Sequence, residues 1–194
     1  MSNSFSRSDS TKTRATEDQV YVCPLSAVPS IVADCNASHL VTCLQNEIVV
    51  DTPPCIKPDF HLRLHVHDIS EPLLGYAAPG EDHVRQIIKF AHIWGGRGPM
   101  VIHCWAGISR STAAALITLY TLNPDVPEDV VARQMREASP TAYPNRLMIR
   151  LADDALGRRG RMLEAVNAMG RGVVAHEAIP FSLPADFSRH RRAS

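Results

Sequence analysis

The sequence of 194 residues contains no Cys-x-x-Cys pair, no excess of either charge and no apolar run long enough to span a bilayer. Each absence narrows what the chain does. Its five cysteines, Cys23, Cys35, Cys43, Cys55 and Cys104, are odd in number and lack zinc-ligand spacing, so no structural zinc is expected. Twenty Lys and Arg balance twenty Asp and Glu, for a formal net charge of +0. No global field therefore recruits nucleic acid or an anionic membrane surface. A membrane-spanning helix needs about 20 consecutive apolar residues, so stable membrane insertion is not expected. The first fifteen residues are polar and do not read as a secretory signal. Unpaired thiols and no such signal lead us to expect a cytoplasmic protein.

What is present suffices for one folded domain. The 45% apolar fraction can build a core without disulfides or metal. Residues 1–18, rich in Ser, Thr and charge, are expected to form a disordered arm. The domain is expected over 19–170, followed by a tail over 171–194 that ends in a basic tip. QVYVCPL (Gln19–Leu25) and HLVTCLQ (His39–Gln45) read as strands around a short helix at Val28–Asn36. HLRLHVHD (His61–Asp68) alternates with strand period, Leu62, Leu64 and Val66 on one face and His61, Arg63, His65 and His67 on the other. Asp82–Trp94 has helical spacing and closes at Gly95-Gly96. PMVIHC is a short buried strand, Ser111–Leu122 a buried helix, and three further helices end near Pro140, Gly157 and Gly170. Strands alternating with helices, then helices alone, predict an α/β fold. It has a central, mostly parallel sheet, helices on both faces and a helical C-terminal part. Ligands in such sheets bind beyond the carboxyl ends of strands, where Cys104 stands.

The segment HCWAGISRS (His103–Ser111) carries the chemistry. It lies between a strand and a helix, so its backbone N–H groups sit at a helix N-terminus without intrahelical partners and can gather an anion. Gly107 permits the backbone turn of such a cradle. Arg110 offers a planar fork matched to two phosphate oxygens. The same field favours a thiolate: a free thiol titrates near pH ~8.5, and helix N-termini and cations bring thiols down to roughly 3.5–7.5. A buried structural cysteine is the plainer reading of any one Cys. The Arg one loop later and the strand-end position favour a nucleophile.

His103, Cys104, Ala106, Gly107, Ser109, Arg110 and Ser111 match the H-C-x-A-G-x-S-R-S pattern. On these residues the chain resembles the cysteine-dependent protein tyrosine phosphatase superfamily, closest in form to its dual-specificity group. The resemblance implies a phosphatase-type fold and hydrolysis of phosphate monoesters on phosphotyrosine, phosphoserine or phosphothreonine proteins, without cofactor or metal. It implies Cys104 as nucleophile, forming a phosphocysteine. Arg110 and the amides of Trp105, Ala106, Gly107, Ile108, Ser109 and Arg110 would bind the phosphoryl oxygens. Ser111 would assist the departing thiolate, and His103 would brace the loop and help keep the cysteine ionised. The family's general acid is an Asp on a loop after the preceding strand. Asp68 fits, Glu71 is its first rival, and Glu81 and Asp82 read as helix N-terminal acids. Asn145 resembles a position that packs near the loop in relatives.

Several alternatives remain open from sequence. Lipid-phosphate relatives carry lysines in the loop, whereas Trp105 and Ile108 here are uncharged; a phosphoinositide or inositol phosphate substrate is the alternative to a phosphoprotein or small phosphate ester. A non-catalytic phosphate-binding module normally lacks the Cys or the Arg. A sulfurtransferase cysteine loop does not share the Ala106-Gly107 and Ser109-Arg110-Ser111 choices. His61, His65, His67 and Asp68 tempt a metal reading, but without a spaced fourth ligand. Trp105 either lines the pocket or packs beneath the loop. Cys23 or Cys43 would make a disulfide with oxidised Cys104 if the strands bring them together.

Overall fold

The structure is a computed structural model and describes residues 18–71 and 73–188. One sheet holds five strands: β1 (Gln19–Pro24), β2 (His39–Leu44), β3 (His61–His65), β4 (Met100–Cys104) and β5 (Phe181–Pro184). Their spatial order is β3-β2-β4-β1-β5. The first four run parallel, with Val22 beside Ile102 and Val41 beside Ile102 across the two ladders of β4. β4 is therefore central, and all five of its residues are buried. A short, continuous apolar run is the signature of such a strand, covered on both faces.

The helices are α1 (Val28–Asp34), α2 (Glu81–Trp94), α3 (Arg110–Leu122), α4 (Glu128–Ala138), α5 (Arg146–Ala155) and α6 (Arg161–Ala168). α2 starts with two acids in its first turn and ends on Gly95 at φ 61, a left-handed cap that favours glycine. α3 is buried from Arg110 to Thr121 because it lies between the sheet and α2, α4 and α5. This burial explains its run of Ala and Leu without a polar face. α5 and α6 meet through Asp153, whose carboxylate accepts from the Met162 and Gly160 amides. Arg158 fastens the far end, donating to Glu128, Pro124 and the Tyr120 carbonyl.

The helices cover the two sheet faces unequally. Leu64, Ile102, Leu116, Met148 and Phe187 belong to a large core on one side. Cys23, Val28, Val32, Leu40, Ile56 and Val101 form a smaller one, roofed by α1 and the loop before β3. That loop buries His61, which strand alternation alone assigns to an open polar face.

The stretch 171–188 differs most from its reading as a tail. It returns to the sheet as β5, antiparallel to β1, with Leu183 beside Val20. Phe187 follows at 0% exposure, and its N–H donates to Asn123 at the end of α3. Four residues alternating once between Phe181 and Leu183 are too short for a periodic signal, and their partner strand lies at the other end of the chain. The arm expected over 1–18 lies outside the described residues except for Asp18, whose carboxylate accepts from the Gly98 amide. We expect Phe187→Ala to cost about 3–5 kcal/mol. Urea unfolding measures it, and a midpoint equal to that of the unmodified chain would place Phe187 outside the cooperative core.

Candidate active site

Cys104 is the last residue of β4 and Arg110 the first of α3. The loop between them is held by its carbonyls. The Leu25 amide donates to Trp105 at 3.1 Å, Ala178 to Ala106 at 2.8 Å, Tyr143 to Ile108 at 2.9 Å, and Asn145 to Ser109 at 3.3 Å. Among the described residues, no amide from Trp105 to Ser109 is spent on a backbone carbonyl. Unspent amides beside a helix N-terminus are suited to gather a negative group. Gly107 sits at φ 72, and a Cβ there would lie 2.7 Å from Pro24 N and 2.8 Å from Cys23 C. Both the backbone angle and the space demand glycine.

Cys104 is 2% exposed, and its Sγ lies 3.1 Å from the Ser111 hydroxyl. Arg110 is buried; its Nη1 donates to the Val66 carbonyl at 2.9 Å. That bond fixes the guanidinium against the segment leading to Asp68. Arg110 Nε has no hydrogen-bond partner and stands 3.9 Å from Asp68 Oδ2. Asp68 Oδ1 accepts from Ser109 Oγ at 2.7 Å and from Asn145 Nδ2 at 2.9 Å. Asn145 also caps α5, accepting from the Met148 amide, and donates to the Ile69 carbonyl. One side chain therefore ties the Asp68 segment to a helix whose first turn abuts the loop. An Asn before an apolar periodic run reads as an N-cap; its second set of bonds is tertiary and left only a slight mark on the sequence.

These groups open on a cleft of about 510 Å³ lined by Asp68, Cys104, Trp105, Ser109 and Arg110, among others. Trp105 is half exposed and lines it. Glu71 is exposed and does not line the cleft. A larger cavity of about 780 Å³ lies between α2 and α5, around Ile88 and Leu151. It shares no residue with the loop and is lined by no cysteine.

Behind the cysteine runs a buried polar chain. Arg63 Nη2 donates to Thr52 Oγ1 at 2.7 Å. Thr52 meets His61 Nδ1 at 2.9 Å, His61 Nε2 meets Thr42 Oγ1 at 2.8 Å, and Thr42 meets His103 Nε2 at 2.7 Å. Only one assignment uses both threonine protons within the chain: Thr52 donates to His61, His61 to Thr42, and Thr42 to His103. His103 then carries its proton on Nδ1. Burial, opposed by the Cys104 backbone and reinforced by the Arg110 charge, holds His103 down at about 4. Burial, with Arg63 and His103, holds His61 at about 4 as well. His103 is thus neutral at pH 7. Burial also pushes the Cys23 thiol up to about 12 and raises that of Cys43, each with a further contribution from Cys104. Of the histidines in His61–Asp68, His61 meets two threonines, and His67 Nδ1 accepts from the Ala77 amide. Among the described residues no cluster of three His, Cys, Asp or Glu could hold a metal.

Two outcomes follow from this geometry. Gly107→Ala should abolish binding of orthovanadate measured by calorimetry while the chain stays folded; wild-type affinity would show that the loop tolerates a Cβ. Both buried imidazoles titrate below their ordinary value of about 6.5, so the unfolded chain binds more protons than the folded one between pH 4 and 6.5. Stability is then full above about pH 6.5 and falls as pH drops towards 4. The urea midpoint should follow that trend, with a shallower slope in His61→Gln; an equal slope in that variant would contradict the buried neutral state.

No protein-family model and no curated protein matches the chain by sequence. Solved structures do match. DUSP15 superposes with a TM-score of 0.56 at 19% identity, over 77% of this chain and 89% of its own. The human tyrosine phosphatase-like serine/threonine/tyrosine-interacting protein gives 0.53 at 17%, over 72% and 91%. PTPMT1 in complex with PI(5)P gives 0.52 at 14%, over 79% and 95%. At such identities the likeness is one of architecture, and that architecture is the one implied by the H-C-x-A-G-x-S-R-S loop. The chain has the fold of the dual-specificity group of cysteine-dependent protein phosphatases.

Proposed function

We propose that the protein hydrolyses phosphate monoesters through a phosphocysteine intermediate, with phosphoproteins as substrates. One observation carries the reading: the Cys104 sulfur, the Arg110 guanidinium and the Asp68 carboxylate line one cleft around a loop with unspent amides. Each element has a task. The dianionic phosphoryl group sits over Cys104 with its oxygens on the loop amides and Arg110, where preorganised donors stabilise the charge of the transition state. Cys104 Sγ attacks phosphorus, the P–O bond to the alcohol breaks, and protonated Asp68 gives its proton to the leaving oxygen. Water then attacks the phosphocysteine and Asp68 takes its proton. The P–S bond breaks, and the Ser111 hydroxyl, 3.1 Å from Sγ, hydrogen-bonds the released thiolate.

The bonds from Ser109 and Asn145 hold Asp68 at the cleft's edge. This support favours Asp68 over Glu71 as the acid. Cys104→Ser should abolish turnover of p-nitrophenyl phosphate, and activity retained in that variant would end the nucleophile assignment. Asp68→Ala should lower kcat by about 10²–10⁴ with little change in vanadate affinity. If Glu71→Ala produces that loss instead, the acid lies on Glu71. A wild-type protein that binds vanadate and turns over no ester of a phosphopeptide panel would be the binding module.

A further inference from the structure

We infer that residues Val173–Ala178 form a second wall of the cleft, which selects phosphate esters of uncharged aromatic alcohols over esters carrying a further charge. The inference rests on the phosphatase reading and names its substrate class. This segment is built into the site. Val173 N–H donates to the Pro140 carbonyl at 2.9 Å, and Ala178 N–H donates to the loop's own Ala106 carbonyl at 2.8 Å. Between them Ser26 Oγ donates to Glu177 at 2.8 Å. Gly172 is seated so closely on the turn before α5 that a Cβ would lie 2.7 Å from the Thr141 carbonyl. Ala178 is buried, and the chain then enters β5. Tied at both ends, the segment places Ala175 and His176 on the cleft lining beside Cys104 and Arg110.

The lining chemistry decides what fits beyond the phosphate. Arg110 is the one Arg among the lining residues, and no Lys lines the cleft. Arg110 Nε stands 3.9 Å from Asp68 Oδ2, and on the phosphatase reading the same guanidinium holds the one phosphoryl group. A second phosphate or a carboxylate on the substrate would lose water beside Asp68 without a matching guanidinium or ammonium, which is costly. The outer lining consists of Gln45, Ile48, Trp105, Ala175 and His176. Trp105 is 55% exposed, an unusual placement for an indole unless its face awaits a ligand. A planar ring carrying the phosphate can pack against these outer residues, Trp105 and His176 foremost.

The test uses non-hydrolysable ligands and the full chain, so that it needs no turnover. Calorimetry with phenylphosphonate, methylphosphonate and methylenediphosphonate should show the phenyl ligand binding about tenfold more tightly than the methyl one. The diphosphonate should gain nothing. His176→Ala should reduce the phenyl preference to about twofold at unchanged thermal midpoint, because it removes one of the packing planes. Ala175→Arg should raise diphosphonate affinity by about tenfold by supplying the missing cation. Both ratios staying at their wild-type values would show that the wall does not touch the bound ligand and would overturn the inference. A wild-type protein that prefers the diphosphonate would overturn it too. Failure of wild type to bind methylphosphonate or orthovanadate at all would sink the anion cradle itself, and the substrate class with it.

Discussion

The hydrogen bonds from Leu25, Ala178, Tyr143 and Asn145 fix four of the peptide planes between Cys104 and Arg110 from outside the loop. A five-residue loop with one glycine at φ 72 has many conformations open to it. Anchoring the carbonyls removes most of them before an anion arrives, so the ordering cost is met by folding rather than by binding. Three separate parts of the chain, around Leu25, Tyr143–Asn145 and Ala178, supply the anchors. The site therefore depends on the whole architecture and not on the motif alone.

Charge in the site follows the same economy. Arg110 is buried and bonded to Val66, and the nearest carboxylate approaches Nε at 3.9 Å. The positive end of α3 and this guanidinium are the sources of field at the sulfur. His103, though adjacent to Cys104, is neutral at pH 7, because burial disfavours its charged form and the Arg110 charge adds to that; its Nε2 meets the hydroxyl of Thr42, which also meets His61 in one buried polar chain. That chain satisfies polar groups that burial would otherwise penalise. It also steers the His103 proton to the nitrogen beside the Cys104 backbone.

The segment 171–188 joins stability to function. Phe187 fills the core beneath the end of α3, β5 covers the outer edge of β1, and between α6 and β5 the chain crosses the mouth of the cleft. An edge strand left open is a template for association; covering β1 pushes that edge outward to a strand of only four residues. The same passage brings Ala175 and His176 to the cleft, so the shape of the cleft is tied to a strand pairing at the edge of the sheet.

Local pattern alone determined much of this protein. The apolar run ending at His103-Cys104 and the largely apolar α3 each reflect burial on a regular element, which a sequence displays directly, and the alternation around His61 marks a strand. The strand-to-helix position of Cys104 and Arg110, and the need for Gly107, follow from backbone chemistry over nine consecutive residues. Tertiary structure decided what depends on residues far apart in the chain. Asp68 is held by Ser109 and Asn145, 41 and 77 positions away. His61 is buried by the loop before it rather than exposed, and 171–188 belongs to the sheet although its composition reads as a tail. Such contacts leave no period in the sequence, because each is one pairwise fit whose partner is chosen by the fold.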